Sequence, residues 1–542
     1  MNNIKFIKTL IILVIIYYLY IFRINPSKQY IIKTFDINNH IHSEWKHNWN
    51  IPTGGQWRKK NGTSMPFVGA SIFKDGGVEY LYVGGSKNQL DSLLLYNPKT
   101  KIFDNYINKT NIPELDKNNK HATYSIVSLD LNKDKWNDLI IARQNGLFLY
   151  KNQGKKNGII QFKKQILLKD NKKSFPMSIT VGDYNKDGKD DLYISKFLKP
   201  KFLDNFQFNN EDAKAYNIML KNISNKQNTI FKDTTKETQT KGVHNTFGSI
   251  FADIDGDKQP DLIISNDTNV VEILKNDNGV FKRINDDKLS NYGMWMGLDI
   301  SDIDNDGDFD IFFTNVGSNV PEFIYQSSLI GNQKANSNHL LLKNDGNMKF
   351  SDIGKRRNIS DESFGWGGVF QNINYDIYDD LLFANNYVDL PLSKNDIGYV
   401  GIYDLKTNKY KRLMKYLNPL FGNSNIRYDF NKDGRDDIVW INMNNKVLAY
   451  INNSSNDFIN IEMPPITKYN NSIIKVYLNN GKILTKQFLV SGSGFLTDHS
   501  SILSFGLGKN NKIKKITIDN IYDNNIITIK KPNNNSTIKI KN

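Results

Sequence analysis

Asp302-Ile-Asp-Asn-Asp-Gly-Asp-Phe-Asp310, running on into Ile311-Phe-Phe-Thr314, decides how this chain is read. Carboxylates stand at loop positions 1, 3, 5 and 9, a glycine stands at position 6, and a β-prone apolar run follows. Hard oxygen ligands at alternate positions of a tight turn suit a Ca²⁺ ion, which takes about 6–8 oxygens in a flexible geometry.

The loop recurs, and a recurring unit is settled before anything else. Asp183-Tyr-Asn-Lys-Asp-Gly-Lys-Asp-Asp191 and Asp429-Phe-Asn-Lys-Asp-Gly-Arg-Asp-Asp437 keep the whole pattern. Asp253-Ile-Asp-Gly-Asp-Lys-Gln-Pro-Asp261 and Asp130-Leu-Asn-Lys-Asp-Lys-Trp-Asn-Asp138 keep the ligand positions but carry Lys258 and Lys135 where the glycine belongs. Asn372-Ile-Asn-Tyr-Asp-Ile-Tyr-Asp-Asp380 is eroded, and Ser71-Ile-Phe-Lys-Asp-Gly-Gly-Val-Glu79 is eroded further. First positions fall at 71, 130, 183, 253, 302, 372 and 429, a step of 49 to 70 residues. Four short strands with their turns fit that step, which is one blade of a β-propeller.

An EF-hand loop needs a bidentate Glu at position 12 and helices on both sides. Position 12 here is Ile194, Ile264, Phe313 or Trp440, and the flanks, such as Ser249-Ile-Phe-Ala-Asp-Ile254, are strand-like. The loop therefore closes a hairpin. Expected ligands are Asp130, Asn132, Asp134 and Asp138; Asp183, Asn185, Asp187 and Asp191; Asp253, Asp255, Asp257 and Asp261; Asp302, Asp304, Asp306 and Asp310; and Asp429, Asn431, Asp433 and Asp437. That makes four to five Ca²⁺ sites, on the premise that these acids have no lysine partners in the chain. Mg²⁺ fits less well, because it demands rigid octahedral geometry.

These repeats resemble FG-GAP/VCBS repeats, the calcium-loop blades of integrin α-subunit propellers. Phe247-Gly248-Ser249 reads as the FG half of that motif. Trp295-Met-Gly297, Gly365-Trp-Gly-Gly368 and Leu340-Leu-Leu-Lys-Asn-Asp-Gly-Asn-Met-Lys-Phe350 are similar to the cartilage acidic protein branch. Past residue 456 the acidic loops stop. Ile473-Ile-Lys-Val-Tyr-Leu478 with Asn479-Asn-Gly481 reads as a hairpin, and Val490-Ser-Gly-Ser-Gly-Phe-Leu-Thr-Asp498 with Leu503-Ser-Phe-Gly-Leu-Gly508 resembles the ASPIC/UnbV domain. That family's tryptophan-proline pair is replaced by Ile518-Asp-Asn520. The resemblances imply a non-catalytic module with ions on one face and ligands, glycan or protein, on the other.

The expected fold is all-β: a seven-bladed β-propeller over 51–455 and a C-terminal β-sandwich-like domain over 456–542. Residues 1–23 are expected to be a membrane-spanning signal anchor: Lys5 and Lys8 precede the apolar run 10–22, and no small-residue cleavage site follows. Residues 24–50 are a linker, with 31–35 as the candidate strand that closes the last blade. The soluble body is then periplasmic or extracellular, with secretion after cleavage as the alternative.

Cysteine is absent, so neither disulfides nor thiolate-bound metal exist. The net charge of +15 comes from dispersed lysines with no basic stripe interleaved with aromatics, which argues against nucleic acid. The seven histidines form no zinc-protease pair, and Ser491-Gly-Ser-Gly494 is not a nucleophile elbow. A polysaccharide lyase or hydrolase, or an assembly scaffold acting through the C-terminal domain, are the other functions open.

Overall fold

Alternating apolar residues between Asn-, Asp- and Gly-rich turns make short antiparallel strands, and the chain folds as many small sheets. The computed structural model describes residues 41–48, 65–169, 173–199, 215–225, 228–242, 244–317, 329–360, 364–385, 398–464, 466–522 and 526–541. Five meanders, at 123–169, 174–233, 245–283, 298–352 and 365–418, are each a four-stranded sheet in sequential order. The first meander, 70–105, and the last, 422–450, belong to one eight-stranded sheet.

The strand that joins them is Ile41–Lys46. It pairs antiparallel with Lys446–Tyr450 (Ile41 opposite Ala449) and parallel with Ile102–Asn105 (His42 opposite Ile102). The N-terminal stretch therefore completes the last meander as expected, but with a strand ten residues beyond the 31–35 candidate and inside the expected linker. Residues 31–35 and the expected membrane helix lie outside the described residues. Among the described residues no helix is long and apolar enough to cross a membrane.

The C-terminal residues form a three-stranded sheet, with Asp457–Glu462 between Ile502–Gly508 and Ser536–Lys539, and a four-stranded one. In the latter, Ile473–Leu478 pairs with Ile483–Gln487 across the expected turn, where Gly481 has φ 87°. These sheets share one apolar core with the meanders at 123–169 and 174–233: Ile459, Ile474, Val476, Ile516 and Phe505 are clustered with Val127, Ile140, Ile179 and Leu192.

One segment, 491–498, reaches further. Leu298 and Gly494 exchange backbone hydrogen bonds at 3.0 and 2.7 Å. Ala70 donates to Leu496 at 3.1 Å and accepts from Asp498 at 2.9 Å. The Ser491 hydroxyl accepts from the Val181 amide at 2.7 Å, and Thr497 Oγ1 donates to the Asn425 carbonyl at 3.3 Å. Phe495 packs on Phe247 and Trp366 at ring separations of 5.4 and 5.7 Å. Ala70, Val181, Phe247, Leu298, Trp366 and Asn425 all sit in the first strands of their meanders. First strands from different meanders thus converge around one plug supplied by the C-terminal sheets. Trp366 and Trp295 are 7% and 1% exposed and serve packing.

Gly492 shows how tight the fit is: its φ is 103°, and an added Cβ would stand 2.4 Å from the Ser249 carbonyl oxygen. Gly492→Ala is expected to destabilise the whole protein by about 2–3 kcal/mol, read as a lowered urea midpoint.

Two histidines with lowered pKa values face backbone donors, His47 fully buried and His499 partly so. His47, just past the joining strand, accepts at Nδ1 from the Asn444 amide at 2.9 Å, and burial lowers its pKa to about 3. His499, in the plug's flank, accepts at Nδ1 from the Arg427 amide at 3.1 Å, and burial, aided by Arg427, holds its pKa well below normal. A histidine kept neutral on folding takes up its proton only on unfolding. Its contribution is complete above the unfolded pKa of about 6.5 and is lost as pH falls from there toward the folded value. Through His47, stability is expected to drop by about 2 kcal/mol between pH 7 and 5, and His47→Gln is expected to remove one proton's worth of that slope in denaturant titrations.

Candidate metal centres

Five loops of the expected type each link the first strand of a meander to its second, so the acids sit at hairpin tips. The position-1 carboxylate folds each tip. Asp302 accepts from the amides of Asp306 and Gly307 at 3.0 and 3.1 Å, and Asp429 from Asp433 and Gly434 at 3.1 and 2.8 Å. Asp183 and Asp130 do the same with Asp187 and Gly188, and with Asp134 and Lys135. Position 6 is left-handed throughout: φ is 82°, 99° and 93° at Gly188, Gly307 and Gly434, and Lys135 and Lys258 are driven to 74° and 65°. Lysine in the glycine position therefore keeps the loop shape at a cost in backbone strain.

The position-9 aspartate is the buttress. Asp310 Oδ2 accepts from the Ile303 amide at 3.0 Å and Oδ1 from the Asn344 amide at 2.8 Å, tying tip to third strand. Asp138, Asp191, Asp261 and Asp437 likewise accept from the amides of Asn152, Asn222, Asn276 and Asn452 at 2.7 to 2.9 Å. In three of the five the asparagine side chain crosses to the preceding meander, while Asn152 and Asn222 bond the Asn137 and Asp190 carbonyls of their own. Asn344 Nδ2 donates to Ile254, Asn276 Nδ2 to Tyr184 and Asn452 Nδ2 to Ile373, each a position-2 carbonyl, at 2.8 to 3.0 Å. These asparagines were missed by the sequence reading; their recurrence after the third-strand apolar run was the available signal.

The cages differ. Asp253, Asp255 and Asp261 bring carboxylate oxygens within 4.8 Å of one another, as do Asp302, Asp304 and Asp306. In the other three loops position 3 is Asn132, Asn185 or Asn431, whose side-chain amides donate to Asp134, Asp191 and Asp433 at 2.8 to 3.0 Å. Asp183 Oδ2 is also held by the Tyr522 hydroxyl of the C-terminal sheets at 2.8 Å.

Burial, with neighbouring carboxylates adding, pushes the position-1 groups up, to about 7 at Asp302 and about 6 at Asp253 and Asp429. Burial raises position 9 further, to about 9 at Asp191 and about 8 at Asp261 and Asp310. Carboxylates held where their charge is costly favour a bound cation. Asp304 Oδ1, buried and without a hydrogen-bond partner, points the same way. The donor set, all carboxylate and amide oxygen, fits a hard cation.

The premise that the acids lack lysine partners fails at three tips. Lys343 Nζ bonds Asp304 and also Asp306, the latter at 2.7 Å. Lys275 bonds Asp255 and lies 3.3 Å from Asp257, and Lys221 lies 3.1 Å from Asp187. Each lysine directly precedes the third-strand asparagine, so the pairing that seats the asparagine also brings the lysine over the tip. Sequence separations of 18 to 39 residues hid this.

The two eroded copies are placed differently. Ser71 lies within strand Ala70–Asp75, which turns tightly through Gly76 and Gly77. The Asn372 loop instead seats the C-terminal sheets: the Gly508 amide donates to the Tyr375 carbonyl at 2.9 Å, and the Tyr375 hydroxyl accepts from Asp436 and bonds Ser504. Lys258, Asn460 and Lys486 add contacts between tips and C-terminal sheets.

Ser493 and His499 come within 3.1 Å, but they do not form a nucleophile pair. His499 Nδ1 is an acceptor, so Nε2 carries the proton and donates to the hydroxyl. The hydroxyl in turn donates to buried Asp299, which Arg427 bridges at 3.1 Å. The group is a strut between plug and meanders.

Repeated four-stranded meanders with acidic tips, capped by a second β unit, define a propeller-type repeat protein. The chain contains FG-GAP-like repeats, matched over residues 130–194 and 224–313, and an ASPIC and UnbV domain, matched over 470–542. No curated protein matches the chain.

Asn344→Ala strips the tip-to-neighbour bond and leaves the Ile254 carbonyl buried without its donor. It is expected to cost about 2–3 kcal/mol, measured by denaturant unfolding.

Proposed function

We propose that this protein is a calcium-stabilised, seven-bladed propeller that acts as a non-catalytic recognition module outside the cytoplasm, held by its N-terminal apolar segment. The ring reading is supported by seven four-stranded meanders in chain order, the last completed by Ile41–Lys46. The observation that carries calcium is the repeated oxygen cage at successive hairpin tips, with three carboxylates converging at Asp302, Asp304 and Asp306 and an unpartnered oxygen on Asp304.

Ligand recognition belongs on the face away from the tips. The C-terminal sheets bond to several tips and their plug lies between first strands, which favours the turns joining second to third strands, and each meander to the next, as the surface for a glycan or protein. A role for the C-terminal domain as a separable scaffold is disfavoured, because its segment 491–498 is bonded into several meanders. The Ser493 strut supports no hydrolytic chemistry.

Ca²⁺ that binds the folded state alone stabilises it by linkage, about 2.7 kcal/mol per site at a hundredfold excess over Kd. Metal-stripped protein is expected to melt several degrees below protein in millimolar Ca²⁺, with little response to Mg²⁺; equal melting in EDTA and Ca²⁺ would remove the calcium reading. A glycan array probed with and without Ca²⁺ tests recognition.

A further inference from the structure

Lysines over acidic tips have a meaning beyond charge neutralisation, because the chain does not place them at every loop. We propose that Lys343 and Lys275 are tethered competitors for the metal, so that calcium affinity is graded from blade to blade. The proposal rests on the calcium reading above.

The Lys343 ammonium bonds carboxylates at positions 3 and 5 of its tip, and Lys275 spans the same two positions of the preceding one. Both carboxylates belong to the cage, and an ammonium bonded to them offsets the negative charge that a metal there would draw on. Ammonium and cation therefore compete for the same two groups. Both lysines are partly shielded, their side chains 22% and 38% exposed, so the contacts are not wholly screened. Lys221 touches position 5 alone, at 3.1 Å, and competes less.

The Asp429 loop is the internal comparison. Its pattern is complete, Ile451 precedes the third-strand Asn452, and among the described residues no lysine lies within ion-pair distance of Asp433. The adjacent Lys432 turns to Glu79 instead. The Asp130 loop also has no such pair among the described residues: Lys151 precedes Asn152 without bridging to Asp134. Calcium accordingly fills the Asp429 tip first and the Asp302 and Asp253 tips last. Without calcium, the lysine-bearing tips keep a counter-charge and stay closed, whereas the Asp429 tip, in the meander beside the joining strand, does not.

Calorimetric titration of metal-stripped full-length protein with Ca²⁺ tests this. Lys343→Met, which keeps side-chain length without charge, is expected to tighten one site by about fivefold to tenfold. It is also expected to widen the gap between melting temperatures in Ca²⁺ and EDTA. Lys343→Arg is expected to retain wild-type weakness, and Asp429→Asn to abolish the tightest class. If wild type binds Ca²⁺ but Lys343→Met binds it no more tightly, or more weakly, the lysine supports the site and the proposal is overturned. If wild type binds no Ca²⁺ at all, the calcium reading itself falls, and the competitor role falls with it.

Discussion

A buried aspartate at the start of the second strand, gripping a backbone amide of the third, is the constraint on which the architecture depends. The position-9 carboxylates, such as Asp310 and Asp437, fix hairpin tip to third strand within a meander. In three meanders the asparagine so seated also fixes the meander to the one before it, as Asn344 does at Ile254. There one side chain sets the internal register and the spacing to the neighbour together. At Asp130 the bond to third-strand Asn152 alone accounts for the kept position-9 acid, although the loop's glycine is gone. Position 9 is needed by the sheet whether or not a metal comes.

Much of this was legible. Period-two patterning, turn residues and an acid at position 9 in place of position 12 gave strands and hairpins rather than helices, and the tips at Asp130, Asp183, Asp253, Asp302 and Asp429 formed as read. What escaped was non-local. Neither the lysine contacts with the tips nor the asparagine bridges follow from proximity along the chain, since both arise from third-strand pairing. The joining strand Ile41–Lys46 was missed because Ile-His-Ser-Glu-Trp-Lys carries weaker β character than the stretch at 31–35, and its place is set by two neighbouring strands rather than by propensity. Ser71 failed as a loop because Gly76-Gly77 permits a two-residue turn that leaves no room for a cage.

The glycine-serine stretch of the C-terminal domain was legible as a motif but not as a plug. Its glycines are positions of close approach, Gly492 to Ser249 and Gly494 to Leu298, and no property of the local sequence states what approaches. The aromatic cluster around Phe495 joins Phe67, just before the first meander, with Phe247 and Trp366 from two others, in edge-on and tilted contacts. The FG phenylalanine is thus a central packing residue here. The meanders and the C-terminal sheets thus belong to one compact unit, residues 41–542.

The joining strand has a mechanical consequence. The chain that precedes it enters at Ile41, and the strand is bonded along both edges, antiparallel to Lys446–Tyr450 and parallel to Ile102–Asn105. A pull along its axis from the N-terminus loads two rows of hydrogen bonds side by side, in shear, instead of opening them one at a time. A body tethered at that end would resist tension through the same few residues that bring its first and last meanders together.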